Sequence, residues 1–311
     1  MMHINFSLKI LLLVFFIFIF SCNRSELHDS IDMNWKTEDS NIRNGIILMK
    51  GYNSDVPLRS WVVIIPKSKN KIKILVSDDD DGVETPKDMA KKTGAIVVIN
   101  GGYFSRGHYP MSHVGLLKSE NKLIEPASGS VLRDNIRYSI NRGALGISND
   151  NNMKISWAST RNDSIFYWNE PFENKPGKPA MVNYGNAYYW PVNEALHAGP
   201  VLISRGKIVV TTEQEIFFNT PVDGIQPRSA VGLKKNGEVV LMVVDGRQVD
   251  SRGVYLKELA MLMAQFDCED VLNLDGGGSS SLIINGKLIN KPIGLNTQRE
   301  VMSFVAVISG D

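Results

Sequence analysis

The sequence predicts an α+β fold: a single large domain of mixed β-sheets with few helices and one βαβ unit near the C-terminus. Three observations carry this. Apolar runs of roughly four to eight residues recur from Ile46 to Ile308, which is strand length rather than helix length. Helix signals are confined to Pro86–Lys92 and Leu256–Phe266. Several strands stop at Asn or Asp followed by Gly, which marks sheet edges opening into loops.

Residues 1–22 read as a leader outside the fold. Lys9 precedes the unbroken apolar run Ile10–Phe20. That run fits the roughly 7–15 residues of a signal-peptide core and falls short of the about 20 needed to span a bilayer. Ser21 directly before Cys22 resembles a lipoprotein signal, with Cys22 as the lipidated first residue of the exported chain. An ordinary secretory signal with an incidental cysteine is the alternative. Asn23 is not the aspartate that can retain such lipoproteins in the inner membrane, so the expected address is the cell envelope, at the outer membrane. Residues 23–44 are polar and read as a tether between lipid and domain. The domain then occupies 45–311. Cys268 is its one cysteine, so no disulfide forms within it and stability must come from the core. A hydrophobic content of 43% makes that feasible. The formal net charge of +1 gives no electrostatic case for nucleic acid.

Within the domain, Ile46–Met49, Trp61–Ile65 and Ile72–Val76 read as strands. Asp78–Asp81 with Gly82 could pass for a calcium loop. Its last ligand would be Asp88 instead of Glu, however, and no helical periodicity precedes it, so it reads as a solvated acidic turn. Thr85 is placed to cap a short helix that has Pro86 at its first position and Gly94 as its stop. Ala95–Ile99 is a buried strand ending in Asn100, Gly101 and Gly102. Three hairpins turn on Asn, Gly and Lys, within Gly115–Ile124, Val201–Val210 and Leu282–Ile289. Residues 149–193 are rich in aromatics, including Trp157, Trp168, Tyr184, Tyr188, Tyr189 and Trp190. Such rings stack on sugars or fill cores, and the Pro and Asn around them predict an exposed excursion. Four histidines remain after the leader, without metal-site spacing. Of these, His197 is a candidate substrate contact or proton carrier, with a structural role as the alternative.

Chemistry is expected where Val271–Leu274, a buried strand, runs into Asp275, Gly276, Gly277, Gly278, Ser279 and Ser280. A carboxylate, bare backbone N–H groups and hydroxyls at a strand end suit a phosphate-bearing ligand. The spacing is neither a Walker loop nor a Rossmann fingerprint. Val239–Val244 likewise ends in Asp245, Gly246 and Arg247. With the helix between, these two strands form the predicted βαβ unit, whose crossover would bring both carboxylates to one edge. Glu258 lies in the helix's first turn. Arg228 precedes another strand, and its planar fork matches phosphate oxygens.

Six motifs in order resemble the phosphodiester glycosidase family over roughly Thr85 to Ile308. They are Ile99-Asn-Gly-Gly-Tyr-Phe104, Ala198-Gly-Pro200, Pro227-Arg-Ser-Ala-Val-Gly232, Val244-Asp-Gly-Arg247, Glu258-Leu-Ala260 and Asn273-Leu-Asp-Gly-Gly-Gly-Ser-Ser280. Tyr255 and His197 depart from the small residues usual there. The resemblance implies a hydrolase, a glycosidase that cleaves a sugar-1-phosphodiester to free sugar and phosphomonoester; with the leader, this gives a lipid-anchored enzyme acting on envelope or host glycans. Asp275 would be the catalytic carboxylate, with Asp245 or Glu258 as the second. Arg228, Arg247 and Gly276–Ser280 would hold the phosphate. Asn100 and Asn273 would meet sugar hydroxyls or orient the carboxylates. A divalent cation bridging carboxylate and phosphate stays open. Two rivals remain: a metal-dependent phosphodiesterase, and a non-catalytic carbohydrate-binding lipoprotein on the same scaffold.

Overall fold

Val239–Val244 is apolar at all six positions because both faces of its sheet are covered. Val239, Leu241 and Val243 point into the largest core, while Val240, Met242 and Val244 pack on the other side beneath the helix Leu256–Ala264. This is the period-two division of a pleated strand. The computed structural model describes residues 30–310, so the leader and Cys22 lie outside the described residues.

That strand sits inside an eight-stranded sheet. Its spatial order is Asn34–Ile42, Ile46–Asn53, Leu58–Ile65, Val239–Val244, Arg228–Lys234, Cys268–Asn273, Val201–Ser204 and Lys207–Ile208. A five-stranded sheet orders Lys287–Leu288, Leu282–Ile284, Val97–Asn100, Ser303–Ser309 and Asn70–Val76. A seven-stranded sheet runs from the exposed edge Tyr188–Tyr189 through Ser164–Trp168, Met153–Arg161, Arg142–Ile147 and Glu194–His197 to Leu117–Ser119 and Lys122–Glu125. The largest core takes Trp61 and Val63 from the first sheet, Val97 and Val305 from the second, and Leu145 and Trp157 from the third. The three sheets therefore share one interior.

The chain is mostly β, with α-helices at Pro86–Thr93 and Leu256–Ala264 among the described residues. The first begins where its cap predicts, the Thr85 hydroxyl accepting from the Asp88 N–H at 3.1 Å, and stops at Gly94 with φ 68°. It buries Met89 and Ala90 on the second sheet, against Val98 and Phe304. All three hairpins form. Each turns on two residues of positive φ, namely Glu120 and Asn121, Arg205 and Gly206, and Asn285 and Gly286, as two-residue type I′ turns demand.

Two expectations change and a third holds in part. Val239–Val244 and Cys268–Asn273 do not pair: Arg228–Lys234 lies between them and is antiparallel to both, so they run parallel at one remove instead of forming a simple βαβ unit. Residues 34–42 are not tether but the edge strand Asn34–Ile42, while Ile31 and Met33 just before it join the core beneath Leu256–Ala264. Sparse apolar residues concealed a strand needing only one buried face. The aromatic segment divides: Trp157 and Trp168 are buried within strands and Trp190 is buried beside them, while residues 175–189 form the expected excursion, mostly exposed and mostly outside strands, with Met181, Tyr184, Tyr188 and Tyr189 on its surface.

Candidate active site

Asp275 lies two residues past the strand Cys268–Asn273, where the backbone leaves the sheet. Its own N–H donates to the Gly101 carbonyl at 3.0 Å, and its carbonyl accepts from Asn100 Nδ2 at 2.7 Å. With the backbone fixed on both sides, the carboxylate faces a cavity of about 140 Å³. Tyr103, Gln226, Arg228, Arg247, Arg299 and Gly276–Gly278 share its lining. A recess of about 640 Å³ beside Trp168 and Tyr188 is larger, but chemistry and not size selects a site.

Burial pushes the Asp275 carboxyl up to about 6, against the opposing pull of the Ser279 hydroxyl, the Gly276 N–H and the charges of Arg299 and Arg106. Gly276 N–H donates to Oδ1 at 2.9 Å. Arg228 is 2% exposed. Its Nε donates to the Val254 carbonyl at 3.2 Å and its Nη2 to the carbonyls of Val222, at 2.8 Å, and Gly224. Burial lowers its pKa to about 10, which leaves it charged at neutral pH. Arg247 donates from Nε to Gln226 Oε1 at 3.1 Å. Arg299 packs so closely on the loop that a Cβ at Gly278 would lie 2.6 Å from its guanidinium, so a side chain there would have to push the guanidinium aside. Behind the cavity, the Tyr103 hydroxyl donates to the Gly199 carbonyl at 2.8 Å and accepts from Asn273 Nδ2 at 3.0 Å. Burial and the neighbouring Asp275 raise its pKa, so it stays a neutral phenol.

The other sequence candidates fall elsewhere. Asn100 is fully buried, and its Oδ1 accepts from Ser229 Oγ at 2.6 Å and Ser281 N–H at 3.2 Å. It therefore supports Asp275 from behind, with no atom left for sugar. Asn273 donates from Nδ2 to the Gly199 carbonyl and the Tyr103 hydroxyl, and it too is fully buried, although its Oδ1 has no partner among the described residues. Asp245 is 0% exposed and accepts from Asn290 Nδ2 at 3.0 Å, Lys291 N–H at 3.1 Å and Arg59 at 3.3 Å. Glu258 is equally buried, gripped by Arg252 at 2.7 and 3.1 Å and by the Tyr255 N–H at 2.9 Å, which makes it a helix-start anchor. Neither lines the cavity, which corrects their reading as second carboxylates. His197 is buried in the third sheet, its Nδ1 accepting from the Leu116 N–H at 3.1 Å; burial and then the Arg142 charge drop its pKa to about 3. It is structural. Gly101 and Gly102 are also packing residues, since a Cβ on Gly102 would collide with the His197 carbonyl and the His113 ring. Ser279 touches Asp275, whereas Ser280 is buried behind the loop and its carbonyl accepts from Asn290 Nδ2 at 2.8 Å.

Tyr103, Gln226 and Arg299 line the cavity without having been picked out as site residues. Tyr103 belonged to a quoted motif. Arg299 stood before the last strand, with no local pattern tying it to residues 275–279. The acidic turn forms a separate cluster, with ligand atoms of Asp78, Asp79 and Glu84 within 4.8 Å of one another and Lys92 paired to Asp78 and Glu84. Around the cavity, a donor set of one carboxylate among three guanidinium groups does not fit a divalent cation.

The model of the phosphodiester glycosidase family matches residues 93–308. N-acetylglucosamine-1-phosphodiester alpha-N-acetylglucosaminidase of Bos taurus is 27% identical over 209 residues, covering 67% of this chain and 34% of that protein. Its Homo sapiens counterpart is 25% identical over 209 residues, covering 67% and 35%. The chain thus spans about a third of the length of these relatives. Among solved structures, the zebrafish catalytic domain of that enzyme, auto-inhibited by its pro-peptide, superposes with a TM-score of 0.60 at 20% identity, covering 89% of this chain and 88% of that one. A hypothetical protein from Synechocystis gives 0.60 at 17% identity, covering 90% and 64%. These two likenesses show a shared fold.

Proposed function

The chain belongs to the phosphodiester glycosidase family, and on that premise we propose that it hydrolyses a sugar-1-phosphodiester to free sugar and phosphomonoester. The observation that carries this reading is one carboxylate of raised pKa facing three arginines across a small cavity. Arg228 and Arg247 bind the phosphate, which leaves as a monoester, and Arg299 adds positive charge to the cavity. Cations stabilise the charge that develops on it, so the leaving group needs no proton from an acid. One carboxylate then suffices. Asp275 acts ionised, taking a proton from water as that water attacks the anomeric carbon, while the C–O bond to phosphate breaks. A carboxyl near 6 is a stronger base than an ordinary one and is still largely ionised at neutral pH. This single displacement inverts the anomeric centre. The curated relatives named for N-acetylglucosamine-1-phosphodiester make that sugar the first to try.

Turnover in ¹⁸O-water tests the bond broken. Label in the sugar and none in the phosphate is the expected result, with loss of turnover in Asp275→Asn. Label in the phosphate would instead identify a phosphodiesterase. Release that is equal in wild type and Asp275→Asn, or absent from both across a panel of sugar-1-phosphodiesters, would leave a binding protein. We further infer, from the apolar run Ile10–Phe20 and the Ser21-Cys22 pair, that the enzyme is exported, lipidated at Cys22 and held at the outer membrane, where envelope or host glycans are its substrates.

A further inference from the structure

Four guanidinium groups surround one carboxylate. Arg228, Arg247 and Arg299 line the cavity, and Arg106 lies on the exposed loop after Phe104, its Cζ 5.7 Å over the Phe104 ring. Arg106 is near enough to act electrostatically on both Asp275 and Arg299. None of the four forms a salt bridge among the described residues. Other arginines of this chain do: Arg59 pairs with Asp245 and Asp250, Arg252 with Glu258, and Arg205 with Glu170. With Asp275 ionised, four cations against one lining carboxylate leave a formal surplus of three, and Asp223, which acts on Arg228, reduces it to two. A phosphodiester carries one negative charge, which leaves one uncompensated. Like charges held together and partly desolvated repel unless a ligand neutralises them.

The arginines differ in how they are held: Arg228 is buried, whereas Arg247, Arg299 and Arg106 are exposed. Arg228 is clamped by backbone carbonyls, and Arg247 is steadied by Gln226. Arg299 contacts Ser279 from the other side at 3.4 Å. We propose that the group beyond the phosphate is itself anionic. The inner phosphodiester sits on Arg228 and Arg247, and a second phosphate or carboxylate of the aglycone meets Arg299 and Arg106. This rests on the hydrolase reading for the inner anion. It adds the class of substrate: a sugar-1-phosphodiester whose other ester arm carries charge, such as a link in a polyanionic glycan.

The test uses a matched pair, N-acetylglucosamine-1-phosphate esterified to butanol or to 4-phosphobutanol. Binding of each is titrated calorimetrically in Asp275→Asn protein, with and without Arg106→Gln, at low and high ionic strength. Turnover of each is measured in wild type. The diester bearing the second phosphate should bind roughly tenfold tighter or better at low salt, with the advantage shrinking as salt screens the exposed cations. Arg106→Gln should cut the advantage several-fold, and Arg205→Gln, an exposed arginine outside the lining, should preserve it. Equal affinities, or an advantage indifferent to Arg106→Gln, overturn the second anion position. If both diesters are hydrolysed with equal kcat/KM and equal affinity, only this inference falls. If the charged ligand binds preferentially and neither is hydrolysed, the hydrolase reading falls and the anion preference stands.

Discussion

The burial that raises the pKa of Asp275 has a cost in stability. The carboxyl titrates near 6 in the fold against 3.8 for the ordinary group, because burial disfavours the charged form. A folded-state pKa raised in this way stabilises the fold fully below the unfolded value and loses that contribution as pH climbs through the folded one. The window runs from about pH 4 to about 6, and at neutral pH the ionised carboxylate costs on the order of 1–3 kcal/mol. Asp275→Asn should therefore abolish turnover while raising the midpoint of thermal unfolding at pH 7, with the gain vanishing near pH 4. A lower midpoint at pH 7 would mean that the carboxylate is a net stabiliser. Wild-type kcat should decline below about pH 6 as the base is protonated. A profile that falls above pH 6 instead would make Asp275 an acid. The position of Asp275, just past a buried strand and against three glycines, was readable in the sequence, and the structure places it on the cavity. Arg299 was not readable in this way, because its approach to Gly278 depends on how the last strand enters the second sheet.

At the level of elements, strand ends were read correctly and their directions were not. Asn100 and Asp245 do end strands close to the glycine–serine segment, yet both act from behind it. Asn100 accepts from the Ser281 N–H, and Asn290 donates both to Asp245 and to the Ser280 carbonyl. The segment is therefore held on its inner side, which is why a run resembling a flexible linker is ordered and largely buried. Alternation of apolar residues fixes which face a strand buries. Nothing in that period says which of several polar tips turns outward, because that depends on strands far apart in sequence. Glu258→Gln separates anchor from catalyst. It replaces a charge-assisted pair with Arg252 by weaker bonds and leaves Arg252 without its carboxylate. Loss of about 1–3 kcal/mol in denaturant unfolding should follow. Below the unfolding range, kcat/KM should stay within a few-fold of wild type, whereas a catalytic carboxylate would lose orders of magnitude.

For the whole molecule, the edge strand that replaced part of the tether has a geometric consequence. Ile31 is already 3% exposed in the core beneath Leu256–Ala264. If Cys22 carries the lipid, the chain between it and that fixed point can reach at most about 30 Å when fully extended. The domain would then work close to the membrane surface, on substrates embedded in or attached to it. Cys22→Ala should move the protein from the membrane fraction to the soluble one and remove incorporation of labelled palmitate. Its kcat/KM on a small soluble diester should be unchanged, because the domain from Ile31 onward is intact. Release of sugar from isolated envelopes should drop, and a long flexible insertion between Cys22 and Ile31 should produce an intermediate result, since effective concentration falls as the permitted volume grows. A Cys22→Ala protein that stays on the membrane would show that some other surface holds it there. Equal release by all three proteins would remove the reason for a short tether, and with it the case that the substrate lies in the same membrane.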